Sequence, residues 1–451
     1  MTAEERIRIF ENVPISEAVR RQVVPAVISQ MIALIYNLAD TYFVGLLNAP
    51  VETAAVTVAY APFLMLTAIA NLFGVGGAGA LSRALGVHDD RAAGKISALS
   101  FWCGFASAGA YSLLFLLLAS PILRLAGATG ETLNAALGYS KWVIVIGGIP
   151  SALNVLLSNL VRAEGNAKTA SFGVSLGGIM NILLDPLLIL PQFAGLSAVG
   201  AGIATAISNL IAALYLLWFI VGRQDRSVVR LSPKLLHGRG NHLQTILSIG
   251  IPSALQYALT VVAVAAQAKF VSQYPTQAVA ALGITKKLDQ LPLYFSIGVS
   301  AGLLPLLAYH HAAGNQKRRR EAFRRGLFIS FAFSLFCLIF YEAMSPQLAS
   351  LFIRDADTVR YAAAFLRRMV TAMPLMSICY PMIIQFQAMK RTRESLVCSV
   401  LRKGVLDVPL LFAMDALFPL YGLMWVQPIV DAVSLIVCVL FYRNLKKQNL
   451  A

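Results

Sequence analysis

Two stretches of this chain set carboxylates among oil-like side chains: IYNLAD at 35–40 and NILLDP at 181–186. Asn181 and Asp185 are four residues apart, so on a helix they share a face, and Tyr36 and Asp40 repeat that spacing, with Asn37 beside them. Pro186 has no amide hydrogen, so it frees a carbonyl near Ile182, where a bend is expected. A carboxylate, an amide side chain and a freed carbonyl within one turn form an oxygen-rich spot suited to a proton or to a hard cation such as sodium. Thr205 with Asn209, again four apart, and Asn154 with Asn159 are candidates to complete it. The bland alternative is a hydrogen-bonded clasp between helices. Against it, a charged aspartate in the middle of a lipid-facing helix costs about 3 kcal/mol, which favours inward-facing, functional positions.

The surroundings are those of a membrane protein. Of 451 residues, 58% are hydrophobic and 13% charged, with a mean hydropathy of +0.71. A soluble domain has about 25% charged residues. Apolar runs at 17–46, 53–84, 93–123, 132–162, 168–190, 198–222, 244–272, 278–311, 322–352, 357–389, 395–417 and 422–445 predict an all-α polytopic protein with twelve transmembrane helices. Several runs exceed the roughly 20 residues that a bilayer needs, so tilt or bending is expected. At about 1.5 Å per residue, Asp40 and Asp185 fall at similar depth in the outer half.

The net charge of +16 alternates with the runs. The termini and even-numbered connections carry 28 of the 37 Lys and Arg residues, including those at 83–95, 162–168, 222–240, 314–325 and 390–403. By the positive-inside rule that face and both termini are cytoplasmic, so the basic balance reflects topology and not nucleic-acid binding. The first 20 residues carry no apolar core or small-residue cleavage site, so no cleaved signal peptide is indicated. Five cysteines without CxxC spacing read as small hydrophobes. His88, His237, His242, His310 and His311 read as solvated loop residues.

The second half aligns with the first at a shift of 227 residues, from Pro25 over Pro252, setting Asp40 against Gln267. A duplicated six-span unit implies two bundles in the same orientation, related by an axis along the membrane normal, with a cavity between them. The expected division is an amino-terminal lobe at 1–221, a cytoplasmic linker at 222–243 and a carboxy-terminal lobe at 244–451. GVGGAG at 74–79 matches a dinucleotide-binding string but lies inside an apolar helix, where close helix packing is the expected role. The second half has its own interior charges: Lys286, Lys287, Asp289, Asp407 and Asp431, with Lys287 expected to pair with Asp289 or Asp431. Lys269, Glu342 and Asp415 sit near the outer surface and are expected to be solvated.

IYNLADTYFVG, NLFGVGGAGALSRALG, RAEGNAKTA, NILLDPLLI, GAGIATAISN and PLLAYHHAAGN together resemble the multidrug and toxic compound extrusion (MATE) family, in particular its DinF-like branch and the MepA-type exporters within it. The resemblance spans about residues 14–445. It implies a V-shaped, two-lobe antiporter that expels amphipathic, often cationic drugs in exchange for protons or sodium. It places Asp40, Asn181, Asp185 and Thr205 at the cation-coupling site, with Tyr36, Asn37 and Asn154 nearby, and it implies no catalytic residue and no cofactor. Gln267, where sister groups have an acid, speaks against coupling in the second lobe. Lys287 and Asp431 are candidates for substrate contact.

The expectation is a monomeric multidrug antiporter of a bacterial or archaeal cytoplasmic membrane, with membrane lipids and small drugs as partners. The alternative is a lipid-linked precursor flippase or a dedicated metabolite exporter on the same fold, which would need a basic cavity with Lys286 and Lys287 in it. An intramembrane enzyme would need paired acids as DxxxD, or HExxH, and no interior span carries either.

Overall fold

A computed structural model describes residues 8–47, 49–222, 227–236 and 241–447; His237 and parts of the linker lie outside the described residues. Among the described residues the secondary structure is helical throughout. The first half contains α1 (Ile15–Gly45), α2 (Pro50–Gly86), α3 (Asp90–Leu125), α4 (Gly130–Ser140), α5 (Gly148–Ala163), α6 (Ala167–Ile189) and α7 (Ser197–Val221). The second contains α8 (His242–Val271), α9 (Thr276–Ala312), α10 (Gln316–Ser350), α11 (Ala356–Met369), α12 (Ala372–Ala388), α13 (Thr392–Val400), α14 (Asp407–Leu417) and α15 (Val426–Lys447).

Nine helices among the described residues are long and apolar enough to cross a membrane, and the bent pairs α4 with α5 and α11 with α12 raise the number to eleven. The protein is a multi-pass membrane protein. Proline chemistry accounts for the bends. Pro150 cannot donate to the carbonyl of Ile146, nor Pro374 to that of Val370, and the chain turns by 47° and 45° at these breaks. In α3 the backbone leaves helical geometry at Leu118, one turn before Pro121. The remaining expected span, 395–417, is broken at Lys403 and Gly404, where Gly404 has φ +111°, a conformation that side-chain-bearing residues avoid.

Helix α6 runs through Pro186, which lies in its last turn, to Ile189. Connections at the basic end are capped by side chains: Asp89 accepts from the Ala92 amide at 2.8 Å and Asn315 from the Arg318 amide at 3.1 Å. At the opposite end, Asp355 caps α11, and two hydrogen bonds from Thr358 hold its carboxyl below the usual carboxylate range.

Apolar packing divides the molecule into levels. Toward the basic end, one core mixes both halves, from Phe10, Val23, Leu85 and Ile220 to Ile246, Leu307 and Met389. Toward the other end the cores separate. One holds Val44, Phe115, Leu123 and Ile189 from the first half; another holds Val271, Leu411, Leu420 and Val426 from the second. The halves are joined at the basic end by backbone-to-backbone contact through glycine. A methyl on Gly250 of α8 would lie 1.9 Å from the Leu72 carbonyl of α2, and one on Gly76 would lie 2.3 Å from the Ile246 carbonyl. Gly298 and Gly302 of α9 do the same against Val27 and Val23 of α1. The glycines of the 74–79 string therefore serve close helix packing.

Gly250→Leu should wedge α2 from α8 and lower stability by about 1–3 kcal/mol, the usual cost of overpacking. Gly283→Ala, with nothing within 4 Å of the added methyl, should leave the thermal midpoint in detergent unchanged or slightly raised.

Candidate functional site

A cavity of about 440 Å³ lies between the halves, within the size range of small-molecule sites. The first half lines it with Tyr36 and Asn37 of α1, Asn154 and Arg162 of α5, Asn181 of α6 and Thr205 of α7. The second half contributes Lys286 and Asp289 of α9, Arg402 and Lys403 at the break before α14, and Gln427 and Asp431 of α15.

The first half gathers its predicted polar residues into one place. Asn181 donates to Asp185 at 3.3 Å along α6 and reaches the Thr205 hydroxyl of α7 at 3.5 Å. Asp185 is fully buried and Asn181 nearly so. Asn181 and Thr205 face the cavity, and Asp185 lies behind them, outside its lining. Asp40 also lies outside the lining, but it and Asp185 act electrostatically on the same two phenols, Tyr36 and Tyr139. The ring of Tyr36 lies over Gly178 of α6, where a methyl would come within 3.1 Å of it. Four buried oxygens of these predicted residues have no hydrogen-bond partner: Asp40 Oδ1, Asn154 Oδ1, Asn181 Oδ1 and Asp185 Oδ2. Asn154 donates to Asn209 at 2.9 Å, tying α5 to α7 beside this group, whereas Asn159 donates to the Val155 carbonyl of its own helix. Asn37 donates to the Ala33 carbonyl at 2.7 Å and reaches Tyr294 of α9 at 3.5 Å, a link across the cavity. Asn, Asp and Thr oxygens at this spacing could hold a hard cation or a proton.

In the second half the structure corrects the expected pairing. Asp431 pairs with Arg402, Nε to Oδ1 at 3.1 Å, both almost fully buried, and not with Lys287, which lies outside the cavity lining. Lys286, one residue earlier, faces the cavity instead; neighbours on a helix point about 100° apart. Gln427 bridges Lys403 to Asp431, accepting at 2.6 Å and donating at 2.9 Å, and the Arg402 guanidinium lies 4.1 Å from the Tyr380 ring centroid. Asp407 accepts the Gly404 amide at 2.7 Å, steadying the helix break. Lys286 and Lys403 both sense Asp289, Asp407 and Asp431, so three cations meet three carboxylates on this wall. Of these six, Asp407 lies outside the cavity lining, so Lys286, Arg402 and Lys403 face the cavity with Asp289 and Asp431. Gln267, opposite Asp40 in the repeat, donates to the Leu423 carbonyl at 3.2 Å.

Other residues fall elsewhere than expected. Arg162, Arg402 and Lys403 line the cavity and are not loop cations. His310 is buried in the last turn of α9, not in a solvated loop, because that turn packs into the shared core. Cys379, Cys398 and Cys438, far apart in sequence, meet between α12, α13 and α15. Asp415 accepts from Tyr274 at 2.5 Å instead of being simply solvated.

Asp431→Asn should leave the Arg402 charge buried and unpaired, lowering stability by about 3–5 kcal/mol. The double variant Arg402→Met with Asp431→Leu should recover most of the loss in thermal melts of the purified protein, since no lone charge remains.

Known proteins match this arrangement along its whole length. The multidrug export protein MepA of Staphylococcus aureus (strain MSSA476) is 29% identical over 445 residues, covering 99% of this chain and 97% of the relative. An outward-facing structure of a multidrug resistance MATE family transporter of the MOP superfamily superposes with a TM-score of 0.90 at 23% identity, covering 97% of each chain. A MOP superfamily transporter from Pyrococcus furiosus, whose binding pocket is described as having reverse polarity, gives 0.90 at 23% identity over 98% of each chain. The MatE family pattern matches twice, at residues 25–187 and 252–413, the two matches beginning 227 residues apart as the repeat does. Covering most of both helical halves, those matches make this chain a member of the MatE family.

Proposed function

We propose that this chain exports amphipathic, mostly cationic drugs by alternating access, in exchange for protons or sodium ions bound in the first half. The basic end is then cytoplasmic, the chain acts as a monomer, and the shared core at that end closes the inner side while the cavity serves the outer side. The multidrug reading draws on the likeness to MepA and on the cavity's size and mixed apolar and polar lining. The coupling reading rests chiefly on three unpartnered buried oxygens, on Asp40, Asn181 and Asp185. Buried oxygens without donors are costly, and a bound proton or cation is what they lack.

In this reading, a cation entering from outside loads Asp185, helped by Asp40, Asn181 and Thr205. Neutralising the carboxylates removes the repulsion between them and the cost of holding charge in a low dielectric. Helices α1 and α6 then settle closer together, narrowing the cavity on the first-half side, so that drug and loaded cation favour different shapes of one site. The second half, its charges matched among themselves, positions the drug.

Asp185→Asn in proteoliposomes with independently imposed pH and sodium gradients should lower gradient-driven dye export by about 100-fold, the loss of roughly 2.7 kcal/mol of coupling. The same gradients in the wild type separate proton from sodium coupling. Export by Asp185→Asn at the wild-type rate would sink the proposal.

A further inference from the structure

Two helices of the second half, α10 and α15, carry exposed apolar stripes that end in exposed cations. On α10 the stripe runs through Ile339, Phe336, Leu335 and Phe328 and, one turn nearer the basic end, reaches Arg324. On α15 it runs through Val433, Ile436 and Leu440 to Arg443 and Lys447, with Lys446 exposed beside them. Residues three and four apart share a helical face, so these cations continue the faces that meet lipid hydrocarbon. The two ends are neighbours: Phe323, next to Arg324, and Tyr442, next to Arg443, have ring centroids 5.8 Å apart.

The protein does not answer these charges. Arg325 shows the ordinary solution, donating from Nε to Glu321 of its own helix at 3.0 Å. Among the described residues, Arg324, Arg443, Lys446 and Lys447 form no ion pair. Four positive charges at the rim of an apolar surface lie where a bilayer presents its phosphates. An arginine fork matches a phosphate through two parallel hydrogen bonds, and the lysines add point charge. The sorting of loop charge by topology does not require this placement, since the corresponding helix of the first half lacks it. The basic end of α3 is covered by the linker, with Ser97 donating to the Arg230 carbonyl at 3.1 Å and Trp102 to the Leu231 carbonyl at 2.9 Å.

We infer that the basic ends of α10 and α15 form a binding site for the headgroup of an anionic phospholipid, whose acyl chains lie along the two apolar stripes. The site faces lipid and is separate from the cavity, so it holds or fails independently of the export reading.

The test is native mass spectrometry of delipidated, purified full-length protein in detergent. Phosphatidylglycerol and phosphatidylcholine with the same acyl chains are added in equal amounts, and the first bound lipid is read. Wild type should carry phosphatidylglycerol about ten times more often than phosphatidylcholine. Arg324→Gln with Arg443→Gln should bring that ratio to about one. Lys446→Gln with Lys447→Gln, at the exposed end of α15, should lower it about threefold, and this variant carries the comparison should the first fail to fold. Arg91→Gln with Lys168→Gln, exposed cations at the basic end of the first half, should leave the ratio unchanged. Excess inorganic phosphate should not displace the lipid, because it lacks the chains that lie on the stripes. The site is overturned by a wild type without preference for phosphatidylglycerol, by a wild-type ratio in the second-half variants, or by an equal loss in the first-half variant. Displacement by phosphate also overturns it, showing a general anion patch in its place.

Discussion

A charge inside this molecule must be answered from within the protein, because lipid offers neither donors nor counter-ions. The polar architecture follows from that constraint. On the second-half wall it is met by pairing charges, Arg402 with Asp431 and Lys403 through Gln427 to the same carboxylate, with Asp407 on the Gly404 amide, although Arg402 Nε and Nη1 and Asp431 Oδ1 make no aligned hydrogen bond. In the first half it is met only in part. Asn181 spends its amide on Asp185 and Thr205, and oxygens on Asp40, Asn181 and Asp185 are left over. The wall whose carboxylate is paired with a cation is suited to holding shape, and the one whose carboxylates have no ion-pair partner is suited to taking up a cation. Arg162, which lines the cavity, poses the same problem with the opposite sign.

The second constraint is geometric. Two bundles that share a cavity must touch somewhere, and here they touch through glycines, where α2 meets α8 and α1 meets α9 with carbonyls against Cα atoms. Such seams hold by close packing without interlocking side chains, which suits surfaces that separate and close again. The breaks fall elsewhere, in the third, fourth, tenth and eleventh spans, and the seam helices α2 and α8 run unbroken although they carry Pro62 and Pro252.

The fold was legible because apolar runs, alternating loop charge and a repeat offset are properties of whole segments. Asn181, Asp185 and Thr205 were legible as a group because polar residues in apolar runs at four-residue spacing share a face, and the structure brings them together. Arg162, Arg402 and Lys403 were misplaced because cations near the end of an apolar run look like loop cations. A signal was present: NLVRAEG and SVLRKGVL carry apolar residues on the approach to the cation, and the second also beyond it. Lys286 and Lys287 could not be told apart without knowing how α9 is rotated. The Gly404 break was not legible, since a positive φ at one glycine leaves no periodic trace.

The central claim is that drug and cation compete through the first-half carboxylates, and the cation released as drug binds tests it most directly. Purified protein in weakly buffered solution is titrated with ethidium while pH and free sodium are followed. Wild type should release a proton or a sodium ion for each dye bound, and Asp185→Asn should bind the dye and release neither. Equal release from both proteins would contradict the assignment of coupling to Asp185.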